Sequence, residues 1–203
     1  MKIRVFISAL ALLLSIGLGA QSMEKGVLHF EGGIGLGIYR TTAVLNGYTY
    51  HDTAGAFVVP VTGEYGINRF FSIGGTFKYS NFLTDTANSE TYHSYDLAVR
   101  PEFHFLNRNK FDMDLFALAG FSALKYNANN STYNITGHGS GPAFGLGLDM
   151  RIFFSHSIGM YLSYNYATYS YPNFEYTDNT TTVAFDWSGK GSNFGLGLAV
   201  RIE

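Results

Sequence analysis

The feature that most constrains this chain is a period-two alternation that recurs in seven of eight segments, with its faces inverted relative to a soluble sheet. Val27–Tyr39 sets Leu28, Phe30, Ile34, Leu36 and Ile38 against His29, Glu31, Gly33, Gly35, Gly37 and Tyr39. Alternation of this kind is the mark of a strand whose two faces meet different surroundings. It returns at Phe57–Ile67, where Phe57, Val59, Val61, Tyr65 and Ile67 oppose Thr62 and Glu64. Phe71, Ile73, Phe77 and Tyr79 then oppose Ser72, Thr76, Lys78 and Ser80. Tyr95–Phe105 carries Asp96, Arg100, Glu102 and His104 opposite its apolar residues, and Phe144–Ile152 carries Gly145, Gly147, Asp149 and Arg151. Ile158–Tyr166 and Phe194–Ile202 complete the pattern, the latter with Gly195, Gly197 and Arg201 on its second face. Met113–Tyr126 is apolar on both parities, which leaves its faces unassigned.

The connections alternate as well. Asn68–Phe70, Leu106–Asp112 and Phe154–Ser157 read as short turns. Arg40–Gly55, Phe82–His93, Asn127–Gly139 and Pro172–Gly191 read as longer loops rich in Asn, Thr, Ser and Asp. Four long loops at one end and three short turns at the other describe an up-and-down meander, with both termini at the short-turn end. The run Phe144-Gly-Leu-Gly-Leu-Asp-Met-Arg-Ile152 recurs as Phe194-Gly-Leu-Gly-Leu-Ala-Val-Arg-Ile202, an echo that supports a hairpin-repeat origin.

A soluble sheet turns apolar residues to a core and charges to water. Here the large apolar residues share one face, while Gly and the charges share the other. That is the arrangement a transmembrane β-barrel requires, since lipid wets its outer wall and closure leaves no unpaired edge. Composition agrees: of 203 residues only 14% are charged, against about 25% in an ordinary soluble domain. The absence of Cys excludes a disulfide scaffold and any thiolate metal site, and the six His show no ligand spacing, so neither a metal nor another cofactor is expected. A net charge of −2 supplies no footprint for nucleic acid. A soluble lipocalin-like barrel would need the faces reversed.

Met1–Ala20 reads as a secretory signal peptide: Lys2 and Arg4, an apolar run from Val5 to Leu18, then Gly19 and Ala20. Cleavage after residue 20 or 22 leaves a barrel domain over 23–203 in a compartment outside the cytoplasm. The aromatics sort by end. Phe70, Phe71, Phe103, Phe105, Phe111, Phe153 and Phe154 fall near the short turns, and Tyr79, Tyr92, Tyr95, Tyr126, Tyr164, Tyr166, Tyr169 and Tyr171 toward the long loops. Two interfacial girdles are the expectation.

On the signal peptide, the strand count, the loop alternation and the closing strand Asn193–Ile202, the chain resembles the small eight-stranded outer-membrane β-barrels, the OmpA transmembrane domain and OmpX group. The resemblance implies an all-β, eight-stranded antiparallel up-and-down barrel in the outer membrane of a Gram-negative bacterium. It also implies periplasmic termini, contact with outer-membrane lipid, and insertion by the outer-membrane assembly machinery. That family usually ends on an aromatic residue, whereas this chain ends Arg201-Ile202-Glu203.

Eight strands enclose a space that side chains fill. The charges on the second face, Glu31, Glu64, Lys78, Asp96, Arg100, Glu102, Asp149, Arg151 and Arg201, are therefore expected to pair as a lumen ionic network. The specific expectation is a plug in which Arg201 bridges Glu31 and Glu64. One catalytic alternative stands out: His138 and Ser140, spaced i, i+2 at the rim of the sixth strand with Glu175 as the nearest carboxylate. This spacing is similar to that of the barrel esterase that deacylates lipid A. In the last loop Phe174, Tyr176, Phe185 and Trp187 are candidates for contact with a surface ligand or partner protein, and equally for packing the hairpin or dipping into the headgroups. Val183, Phe185 and Trp187 run out of phase with Phe194 onward, so a bulge at Gly189–Gly191 is expected between them. The reading is of a non-enzymatic envelope or surface-interaction protein, with a lipid A-modifying esterase and a narrow channel for small solutes as alternatives.

Overall fold

The computed structural model describes residues 22–84, 90–129 and 134–203; the expected leader, 1–20, falls outside them. Eight strands are present: β1 (Leu28–Leu45), β2 (Tyr48–Gly66), β3 (Phe71–Phe82), β4 (Glu90–Arg108), β5 (Phe111–Asn129), β6 (Asn134–Phe153), β7 (Ile158–Asp178) and β8 (Thr181–Ile202). Each pairs antiparallel with its sequence neighbours, and β8 returns to β1, so the sheet closes into a barrel in chain order. Every strand thus satisfies both edges, as a wall surrounded by hydrocarbon must.

The inversion of faces is complete. Ile34, Leu36, Ile38, Leu97, Leu146, Phe194 and Leu198 stand on the outer wall, while Glu31, Glu64, Asp96, Arg100, Glu102, Asp149 and Arg151 are buried inside. β5, apolar on both parities, turns Asp112, Asp114, Phe116, Ser122 and Leu124 inward. Along the closing seam Gly33 lies opposite Gly197 and Gly35 opposite Gly195. The missing side chains make room for Tyr161: a Cβ on Gly33 would stand 2.7 Å from its hydroxyl, and one on Gly197 2.8 Å from its ring.

The long connections differ from the sequence expectation. Arg40–Gly55 is the continuation of β1 and β2, reversed by Asn46-Gly47 with φ of 50° and 81°. Two left-handed residues make the I′-type reversal whose twist matches a tight hairpin. Pro172–Gly191 is likewise strand, turning at Asn179. Most of Asn127–Gly139 belongs to β5 and β6. The wall therefore runs well beyond its apolar zone, and the turn residues occupy only the reversals.

The bulge expected at Gly189–Gly191 is absent. β8 pairs without a break there, and the register shift lies on the facing strand between Tyr171 and Phe174. Pro172 has no N–H to give the ladder, and Asn173 takes the left-handed conformation at φ 55°. The apparent phase conflict has a simpler cause: Trp187, Gly189, Gly191 and Asn193 are one continuous inward face, so Phe185 and Trp187 turn toward the barrel mouth.

The girdles need a similar correction. Phe70, Phe71, Phe103, Phe105 and Phe154 stand outward at the short-turn end, and Tyr95, Tyr164 and Tyr166 outward toward the other. Phe153, Tyr169 and Tyr171 instead point into the lumen and are buried, and Tyr92 and Tyr126 share the inward parity. Their places in the alternation, not their distances along the strand, decide the face.

Candidate functional site

The lumen is stacked in layers from the short-turn end upward. At its entrance Asn107 holds the segment that precedes β1: its Oδ1 accepts from Ser22 N at 2.7 Å and Met23 N at 3.0 Å, and its Nδ2 donates to Met23 O at 2.6 Å. Met23 is fully buried there. Phe153 stacks above, its ring centroid 5.5 Å from that of His29 and 4.8 Å from the Arg201 guanidinium.

The next layer is a charge cluster centred on Arg151. Its Nε donates to Glu31 Oε1. Its Nη1 donates to Asp112 at 2.7 Å and Asp114 at 2.8 Å, and its Nη2 lies 3.2 Å from Glu64 and 3.4 Å from Glu102. Arg100 takes Glu102 at 2.7 Å through Nε and Asp149 through Nη2, with its guanidinium 3.7 Å from the centroid of the Phe116 ring. His29 Nδ1 meets Glu64 at 2.7 Å while its Nε2 donates to Ser22 O at 3.0 Å. His104 lies 2.9 Å from Asp112 through Nδ1 and 2.9 Å from Ser72 Oγ through Nε2. Ser72 Oγ in turn donates to Glu64 at 3.1 Å, so it accepts from His104 Nε2–H. His104 thus bridges Ser72 and Asp112 through its two ring nitrogens.

The bridging role expected of Arg201 belongs to Arg151. The strands are staggered, as closure of a tilted barrel demands: Arg151 pairs with Tyr161, which pairs with Gly197, four residues inside Arg201. Arg201 therefore sits at the rim, donating to His156 O at 2.8 Å and Asn109 O at 3.2 Å. His29, His104, Asp112 and Asp114 joined no expected site. For the first two, the inward parity was readable in the sequence; for the aspartates, the signal was a carboxylate pair at i, i+2.

Two triads here have metal-ligand character, Glu64–Glu102–His104 and His104–Asp112–Asp114. The Arg151 guanidinium reaches carboxylates of both, and His104 commits both nitrogens to hydrogen bonds. The cation these carboxylates face is the arginine.

A cavity of about 50 Å³ separates the cluster from the layer above, room for roughly four waters. Thr62, Thr76, Ser163 and Asn165 line it. Above it Lys78 pairs with Asp96 at 2.9 Å and donates to Tyr169 at 2.7 Å. Tyr39 donates to Asn193, which donates to Asn165 at 2.9 Å. Ser122 joins Asp96 at 2.5 Å to Tyr171 at 2.7 Å.

The long-hairpin mouth is aromatic. Trp187 lies 5.1 Å from Tyr171 and 6.1 Å from Phe174, and Phe174 lies 5.5 Å from Phe185. Phe174 is buried, with Tyr176, Phe185 and Trp187 packed around it. Of the two roles open to these four, contact or packing of the hairpin, the structure shows packing: the Pro172–Asn173 shift puts Phe174 on the inner face, and Phe185 and Trp187 continue the inward face of β8. Among the described residues, Tyr48 and Tyr50 are the most exposed hairpin aromatics, 71% and 58% accessible, next to the Asn46-Gly47 reversal.

The candidate catalytic residues lie on the outer surface. His138 and Glu175 are cross-strand partners, with Nε2 and Oε2 3.3 Å apart and both side chains more than half exposed. Ser140 makes no hydrogen bond to either among the described residues. Its strand is out of register with β7 from His138 to Ala143.

Comparison with known proteins places this architecture. OprG of Pseudomonas aeruginosa superposes with a TM-score of 0.59 at 9% identity, covering 89% of this chain and 98% of its own. Ail, the attachment invasion locus protein of Yersinia pestis, solved with the heparin analogue sucrose octasulfate, gives 0.50 at 16%, covering 88% and 99%. The outer membrane protease OmpT of Escherichia coli gives 0.51 at 9%, covering 93% and 100%. At these identities the likeness is one of fold, and the fold hosts a protease as well as an attachment protein. No curated protein matches the chain. Residues 8–201 match the family described as the outer membrane protein beta-barrel domain, so this chain belongs to the outer-membrane β-barrel proteins of Gram-negative bacteria.

Proposed function

We propose that the protein is a non-enzymatic outer-membrane barrel with a plugged lumen, its termini periplasmic and its long hairpins outside, serving envelope structure and surface contact. The observation that carries this reading is the succession of packed layers. The Arg151 cluster, the Lys78 layer and the aromatic mouth follow one another along the axis, and the cavity between the first two has about 50 Å³, room for roughly four waters. Surface contact is assigned to the β1–β2 hairpin, where Tyr48 and Tyr50 stand free, a composition suited to recognition at low entropic cost. The heparin analogue bound to Ail gives a sulfated sugar as a first ligand class to try. The esterase reading has the His138–Glu175 contact in its favour. It lacks a serine joined to that pair, so it stands second.

Planar-bilayer recording tests the lumen. The purified barrel is expected to give a flat baseline at neutral pH. Discrete current steps in the wild-type protein would contradict the plug and favour the channel.

A further inference from the structure

Arg40 on β1 and Lys190 on β8 are directly opposed across the closing seam, both exposed on the outer wall. Among the described strands this is the only pair in which two Lys or Arg side chains face each other in register. Like charges at such a position repel, and sheets usually separate them or interpose a carboxylate. Neither residue takes part in an ion pair among the described residues. They border a depression of about 430 Å³ that also exposes Thr42, His51 and Thr53. His51 Nδ1 is engaged by Thr42 Oγ1 at 3.1 Å, which leaves Nε2 to face outward. The one carboxylate lining the depression among the described residues, Asp52, accepts from Thr53 N at 2.7 Å.

The height of this patch matters as much as its charge. Ile38 and Leu36 precede Arg40 on the same face of β1, and Phe194 stands on the matching face of β8, all more than half exposed. Twelve residues separate Leu28 from Arg40, and twelve separate Lys190 from Ile202. At about 3.3 Å per residue and the usual tilt, both cations lie just past an apolar band about 25 Å tall. A ligand that bridges the two zones needs an anionic head at Arg40 and Lys190 and hydrocarbon along Ile38, Leu36 and Phe194.

We propose that Arg40, Lys190 and His51 form a binding site for the phosphate of a phosphorylated glycolipid in the outer leaflet, with its acyl chains lying on the wall below. Guanidinium and ammonium supply charge-assisted donors to the phosphate oxygens, and the Thr42 and Thr53 hydroxyls and His51 Nε2 face the sugar. The ligand removes the repulsion that the bare pair carries. The site rests on the outward orientation of the long hairpins proposed above.

The test uses the whole barrel in phosphatidylcholine nanodiscs containing diphosphorylated lipid A, with lipid retained per barrel read by native mass spectrometry. Arg40→Gln/Lys190→Gln should lower retention about tenfold, in line with two interfacial cations at an anionic surface. Lys190→Gln alone should lower it about threefold. Arg69→Gln/Lys110→Gln, two exposed cations at the opposite end that also face lipid A in the nanodisc, should lower it no more than about twofold, and a loss equal to that of the first double variant would show generic attraction and overturn the site. Fully dephosphorylated lipid A should be retained no better by the wild type than by the double variant, and millimolar inorganic phosphate should not displace the diphosphorylated lipid. Equal retention by wild type and double variant, phosphate-independent retention, or displacement by free phosphate would each overturn the proposal. Heat-dependent gel migration confirms that each variant is folded. The nanodisc carries lipid A in both leaflets and so tests the site alone, while protease shaving of intact cells tests orientation alone.

Discussion

Arg151 and Arg201 occupy the same place in the repeated Phe-Gly-Leu-Gly-Leu motif, yet one anchors the lumen and the other its rim. Removing a buried partner from a charge cluster leaves its carboxylates uncompensated, a loss of about 3–5 kcal/mol. Arg151→Met is therefore expected to lower the urea midpoint of the barrel in lipid vesicles by that equivalent. Arg201→Met, which strips mainly backbone carbonyls near solvent, should cost no more than about half as much. Equal losses would mean that the stagger has been misassigned. The inward parity of these residues was legible from alternation alone. Their partners were not, because partner choice depends on the shear between strands, and shear leaves no trace in any single strand. His104 shows the same limit: its face was readable, while its partners Ser72 and Asp112 follow only from the register between strands.

At the level of elements, the alternation located every strand core except that of β5, which is apolar on both parities, but misplaced the ends. Asn-, Thr- and Asp-rich stretches were read as loops, although Asn46-Gly47 between alternating residues is the strongest short hairpin signal there is. A wall that leaves the membrane becomes polar outside without ceasing to be a sheet, so polarity alone marks the membrane boundary and not the strand end. The same stems carry the aromatic mouth. Phe174→Ala removes the ring on which Phe185 and Trp187 pack, and a loss of about 3–5 kcal/mol is usual for a buried Phe. Trp187 is the sole tryptophan, so its emission reports the change directly. A red shift and easier acrylamide quenching are expected in the variant. An unchanged spectrum would show that Trp187 does not depend on Phe174.

For the whole molecule, low charge, abundant glycine and abundant aromatics each have a place in the barrel. The apolar wall replaces the charged surface of a soluble domain. Glycines such as Gly33 and Gly197 let Tyr161 and its neighbours fill a narrow interior. Aromatic rings divide between the outer girdles and the inner mouth. Under the proposed orientation, surface contact falls to a few hairpin residues, whose exposure the sequence pattern did not distinguish from packing. The central claim is that the outer wall faces hydrocarbon and that Arg40 and Lys190 mark its edge. The absence of native cysteine makes single-site spin labelling clean. The most direct test is accessibility at positions 34, 36, 38, 40, 190, 194, 196 and 198 in lipid vesicles, by power-saturation spectroscopy. Molecular oxygen should relax labels at 34, 36, 38, 194, 196 and 198 more than a water-soluble nickel chelate does, with the order reversed at 40 and 190. A nickel chelate that dominates at 34, 36, 196 and 198 would place that wall in water and contradict the account.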